Sequence, residues 1–216
     1  MHKRTLLAGL AVLTSTVVGG AAYATVSPED EATAVIDVTM TDKTGDVHVV
    51  KAERDLPHRI THSVGMKQVG YHVDRTAETL TISYPLTRIL NNDRFQQAVG
   101  TIITPDKKMS DPNSPFVELI SSASKVTVRV FSYDGDTSFR QHVCKAASSA
   151  ADSKTDAVTQ TVPFSCLDGV LDHGFLRSFA LLERVKGRDV SYDLTPWTRD
   201  LPLSPYVAPT TGATQG

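Results

Sequence analysis

Strict two-residue alternation recurs along this chain and directs it toward folds built from β-strands. Lys125 to Tyr133 (KVTVRVFSY) sets Val126, Val128 and Val130 on one side and Thr127, Arg129 and Phe131 on the other. Thr79 to Tyr84 sets Thr79, Thr81 and Ser83 against Leu80, Ile82 and Tyr84. Successive side chains of a strand point to opposite faces, so each pattern buries one face of a sheet and wets the other.

The rest of the chain divides around these segments. Ala34–Met40, the turn residues Asp42–Asp46 and Val47–Glu53 together read as a hairpin. His58–Val64 and Lys67–Val73 read as strands separated by Gly65. Asp134-Gly135 supplies a turn that sends Asp136–Val143 back antiparallel to the strand before it. Phe175–Val185 (FLRSFALLERV) suits a helix or a strand, and the turn Lys186-Gly187-Arg188 followed by alternating Val190, Tyr192 and Leu194 favours a hairpin.

Three segments point to other structure. Asn91-Asn92-Asp93 resembles a helix N-cap, which predicts a short helix over Arg94–Val99 ended by Gly100, with a short strand at Thr101–Thr104. Phe116–Ser122 is assigned one or two helical turns. Lys145–Asp156 has no large apolar residue and is expected to loop outward, after which Ala157–Cys166 returns as an edge strand containing Pro163. The resulting fold class is mainly β: an antiparallel β-sandwich-like domain over residues 34–200, with one or two short helices and one disulfide.

The two ends read differently. His2, Lys3 and Arg4 precede a mostly apolar run from Thr5 to Val18, and Ala22-Tyr23-Ala24 has small residues where a signal peptidase reads. Residues 1–24 are therefore read as a signal peptide, 25–33 as a flexible lead-in, and 201–216 as a proline-rich disordered tail. Export makes the only two cysteines, Cys144 and Cys166, a disulfide rather than two thiols. The expected location is periplasmic or secreted. Formal net charge is −2 with basic and acidic residues interleaved, so no nucleic-acid partner is expected, and contact with a membrane should be peripheral or absent.

Candidate chemistry is thin. His48, His58, His62 and His72 fall in one region, and His58 and His62 would share a strand face as ligands for copper or zinc, but ordinary surface or strand-face histidines are the favoured explanation. Ser122-Ala123-Ser124-Lys125 and Lys43-Thr44-Gly45 imitate two β-lactamase fragments in reversed order, without the element between them. Asp134-Gly135-Asp136 imitates a calcium loop but lacks the further acidic ligands. Tyr192, Trp197 and Tyr206 could anchor a partner through rigid aromatic area. No cofactor and no catalytic residue is assigned. The expected function is an exported, non-catalytic envelope or extracellular protein that binds a protein partner through its sheet surface or edges, as in a secretion, pilus or surface assembly. An exported hydrolase without a local signature is the alternative, followed by a periplasmic metal-binding protein that uses the four histidines.

Overall fold

A computed structural model describes residues 33–42, 46–107, 114–122, 128–133, 139–167, 171–185 and 187–207. Residues 1–24, read in the sequence as a signal peptide, most of the segment 25–33, Lys43-Thr44-Gly45, Lys125, Asp134-Gly135-Asp136 and residues 208–216 lie outside the described residues.

The fold is an antiparallel β-sandwich of two sheets. Strands β1 (Val35–Thr41), β3 (Gln68–Asp74), β4 (Thr79–Pro85), β10 (Ala157–Pro163) and β9 (Ser148–Asp152) form the smaller sheet in the order β1-β3-β4-β10-β9. The larger sheet runs β2 (His48–Val49), β12 (Arg188–Leu194), β11 (His173–Arg184), β5 (Phe95–Thr104), β6 (Phe116–Ser122), β7 (Arg129–Tyr133), β8 (Phe139–Val143), and β13 (Asp200–Pro202) also pairs with β11. Val69, Tyr71, Leu80, Ile82 and Val158 from one sheet meet Val99, Ile103, Leu119, Leu176 and Leu182 from the other in one apolar core. Cys144 lies just beyond β8 and Cys166 in the 3-10 turn after β10, so their disulfide, with Cα atoms 5.8 Å apart, joins the two sheets at a corner.

The sheet pairings bear out the hairpins β7–β8 and β11–β12, add a hairpin β3–β4 and correct several sequence expectations. Ala34–Met40 and Val47–Glu53 do not pair: β1 lies beside β3, whereas β2 crosses to the larger sheet to pair with β12. His58–Val64 is not a strand. Pro57 opens a helical turn, α1 (His58–Thr61), as expected of a residue with preset φ and no amide hydrogen to satisfy. Arg94–Val99 is strand rather than helix: Asn92 Oδ1 does accept the amides of Arg94 and Phe95, at 2.9 and 3.0 Å, but this turn launches β5. Phe116–Ser122 is also a strand, paired on both sides.

Two further differences concern the C-terminal half. Residues 145–156 contain β9, which needs no large apolar residue because its inward Ser149 hydrogen-bonds Ser121 at 3.1 Å. Consequently β10 is flanked on both sides, and Pro163 sits past the last pair with β9, where no ladder hydrogen bond is lost. Order also continues past Asp200. Leu201 and Leu203 are buried, and the buried Arg75 donates to the carbonyls of Ser204 and Pro205 at 2.9 and 3.3 Å, which ties residues 201–207 to the domain.

A polar stripe runs through this core and bonds the sheets to each other. Tyr71 Oη lies 2.8 Å from Ser178 Oγ, Ser178 Oγ 2.7 Å from Thr101 Oγ1, and Thr101 Oγ1 2.9 Å from Tyr84 Oη. Tyr84 donates to Gln160 Oε1 at 2.9 Å, and Gln160 Nε2 donates to Ser121 Oγ at 2.8 Å. Each hydroxyl has one proton. Because the Tyr84 proton goes to Gln160, Thr101 must donate to Tyr84, Ser178 to Thr101 and Tyr71 to Ser178.

Candidate interaction surface

The stripe fixes which way every strand of the larger sheet faces. With Leu176, Ser178 and Ala180 inward, Arg177, Phe179 and Leu181 must point out. Cross-strand register then builds three rows on the outer face. The first runs His48, Tyr192, Leu181, Ala98, Ser122. The second runs Leu194, Phe179, Gly100, Ile120, Arg129, Val143. The third runs Arg177, Ile102, Glu118, Phe131, Gln141.

These rows are unusually apolar for the outside of a sandwich, where polar side chains normally alternate with core residues. Tyr192, Leu181, Leu194, Ile120 and Phe131 are half-buried, and Ile102 and Phe179 are buried although they point away from the core. The Phe179 ring closes over Gly100, where a β-carbon would collide with the ring and with the Leu119 carbonyl. The smaller sheet is a control within the same molecule. Its outer rows are Asp37, His72, Thr81, Thr161, Ser148 and Thr39, Gly70, Ser83, Thr159, Ala150, in which small hydroxyl residues predominate.

Two of the charges on the apolar face, Glu118 and Arg177, are desolvated. Glu118 stands between Ile102 and Phe131, and burial pushes its carboxyl up to about 7. Among the described residues it has no hydrogen-bond or ion-pair partner. Burial likewise lowers the Arg177 guanidinium, whose Nε donates to the Thr195 carbonyl at 2.9 Å and whose plane lies 5.7 Å from the Trp197 ring centre. Tyr192 stacks obliquely on His48, with ring centres 4.7 Å apart. The aromatic pair singled out in the sequence, Tyr192 and Trp197, therefore flanks this face. Tyr206 lies elsewhere, under the guanidinium of Arg75.

The histidines are dispersed. His58 and His62 stack with ring centres 3.6 Å apart because a helical turn, not a strand, brings positions four apart together. Burial first, and then the neighbouring His58, lowers the His62 pKa. His72 is on the other sheet, 2.7 Å from Asp37. Among the described residues, the one group of three side chains with metal-ligating atoms within 4.8 Å of one another is Asp42, Asp46 and Asp193, with no histidine in it. Asp193 accepts the amides of Met66 and Leu194 at 2.6 and 3.1 Å, and burial raises its carboxyl to about 6, helped by the charges of Asp42 and Asp46. Sequence reading missed this group because Asp42 and Asp193 come from opposite ends of the chain.

No protein-family model matches this chain, and no curated protein matches it. Among the described residues, no helix is long and apolar enough to cross a membrane.

Proposed function

We propose that this is an exported, non-catalytic envelope or extracellular protein that binds a protein partner across the outer face of its larger sheet. The observation that carries this reading is the apolar character of the three rows, where the half-buried Leu181, Leu194, Ile120 and Phe131 hold positions that the smaller sheet gives largely to threonine and serine. Contiguous apolar area with few charges is the composition of an interface core. Glu118 and Arg177 would set the orientation of the partner, since a desolvated charge strongly disfavours a wrong pairing. The Cys144–Cys166 disulfide supports passage through an oxidising compartment, as does the basic and then apolar N-terminus. A secretion, pilus or surface assembly is the kind of setting that uses such a face.

The test is site-specific photo-crosslinking in the native envelope. A photoreactive residue at Leu181 or Ile120 should give one defined adduct with another protein, while the same residue at Ser83 or Thr159 gives none. Equal adducts from both sheets, or none from Leu181 and Ile120, would overturn the reading.

A further inference from the structure

A separate surface feature lies between α1 and the segment before β5. Arg59 and Ile60 of the helix and residues 88–92 enclose a cleft of about 320 Å³, within the range of about 300–1,000 Å³ typical of small-molecule sites. None of its lining residues belongs to the three rows of the larger sheet.

Its frame is set by hydrogen bonds. The Arg88 amide donates to the Ser63 carbonyl at 3.0 Å, the Ile89 amide to Asp156 Oδ1 at 2.8 Å, and the Leu90 amide to Gln97 Oε1 at 2.7 Å. Gln97 is buried and returns a bond from Nε2 to the Arg88 carbonyl at 2.8 Å. The backbone of 88–90 is thus pinned from three directions, which fixes the origins of the Arg88, Ile89 and Leu90 side chains.

The side chains on this frame have one consistent chemistry. Arg59 and Arg88 are exposed, and among the described residues neither guanidinium has a carboxylate partner. Asp156 accepts the Ile89 amide and keeps one negative charge at the frame. Asn92 spends Oδ1 on the amides of Arg94 and Phe95, which leaves its Nδ2 group to donate outward. Ile60, Ile89 and Leu90 are half-buried and add apolar wall. The cleft therefore sets two guanidinium groups and the Asn92 amide against the single carboxylate of Asp156 on its frame, beside apolar surface, in a chain whose formal net charge is −2.

We infer that this cleft binds a small amphipathic anion, with its oxyanion head on Arg59 and Arg88 and its hydrocarbon part on Ile60, Ile89 and Leu90. Guanidinium groups match both carboxylate and phosphate through paired N–H donors, so the head can be either.

Calorimetric titration of the purified protein with sodium octanoate, monooctyl phosphate and 1-octanol tests this. At least one of the two anions should bind about tenfold or more tightly than the alcohol, and the tighter anion identifies the head group. Arg59→Gln and Arg88→Gln, both exposed and without a carboxylate partner among the described residues, should each weaken that anion about tenfold, as expected for loss of one charge-assisted contact, without changing the affinity for octanol. In the unsubstituted protein, the side-chain Nε–Hε resonances of Arg59 and Arg88 should shift on titration with the anion. Equal binding of anion and alcohol, anion affinity unaffected by both substitutions, or no heat and no resonance shift up to about 10 mM anion, a weak-binding limit on the affinity scale, would overturn the inference.

Discussion

Tyr84→Phe removes one oxygen atom from the middle of the core without opening a cavity, and the proton order of the buried stripe determines the cost. Tyr84 is fully buried, and burial holds its pKa well above the usual phenol value, so the hydroxyl is neutral throughout the working pH range. In the variant, Gln160 Oε1 loses the only donor assigned to it, inside a residue with no exposed surface. Thr101 also loses its acceptor. If Thr101 turns to donate to Ser178, and Ser178 to Tyr71, the orphan proton moves to Tyr71, which is buried as well. Thr195 and the Ser178 backbone lie within hydrogen-bond reach of Tyr71 and can take that proton, so Gln160 Oε1 is the orphan that remains. A buried orphan costs about 1–3 kcal/mol, so the variant should lose about 1–3 kcal/mol of stability. Urea unfolding with the disulfide intact, followed by far-UV circular dichroism and by the fluorescence of Trp197, measures this. Adding Gln160→Leu to Tyr84→Phe removes the orphan acceptor, so the double variant should be more stable than the sum of the single losses by at least about 1 kcal/mol. A loss under about 0.5 kcal/mol for Tyr84→Phe, against the 1–3 kcal/mol of one orphan, or strict additivity of the pair, would refute the reasoning.

The outer face of the larger sheet supports two further predictions. Glu118 titrates near 4.5 when unfolded and near 7 when folded, so the folded state holds the extra proton between these values. Its contribution to stability is full below about 4.5 and is lost as pH rises through about 7; the difference between pH 4.5 and pH 8 amounts to about 3 kcal/mol. Glu118→Gln should remove that slope, and unchanged pH dependence in urea unfolding would show that the carboxyl is not desolvated as described. Gly100→Ala should destabilise by about 3 kcal/mol, because the new methyl meets the rigid Phe179 ring and the Leu119 carbonyl rather than a flexible side chain. A thermal midpoint within about 1 °C of the parent would contradict the close packing of Phe179, since 1 kcal/mol shifts the midpoint of a chain this size by about 2–4 °C.

Alternation in the sequence tells which residues share a face of a strand, but not which face is the core. For β4 and β7 polarity answers the second question correctly, with Leu80, Ile82 and Tyr84 inward against threonine and serine, and Val128 and Val130 inward against Arg129. In the middle of the larger sheet the usual polarity is reversed. Thr101, Ser178 and Ser121 face inward because Tyr84, Tyr71 and Gln160 meet them with hydrogen bonds across the sandwich, and that arrangement sends Ile102, Phe179 and Ile120 outward. Alternation groups Tyr192 with Val190 and Leu194 against Ser191 and Asp193, which are buried in the fold, and finding Tyr192, Glu118 or Phe179 on the outer face requires knowing the partner of each inward polar group. The same dependence explains the segments that resembled helices. Asn92 satisfies two amides equally well at the start of a strand or a helix, and Phe116–Ser122 declares itself a strand only through β5 and β7 on either side. The buried polar stripe and the apolar outer face are thus two sides of one arrangement. On these strands the inward positions bond the partner sheet through hydroxyls and the outward positions carry hydrocarbon, whereas the smaller sheet, which also turns polar groups inward, carries threonine and serine outward. The crosslinking contrast between Ile120 and Ser83 therefore tests that coupling directly: a partner found on the hydroxyl sheet instead would mean that the outward hydrocarbon serves the fold alone.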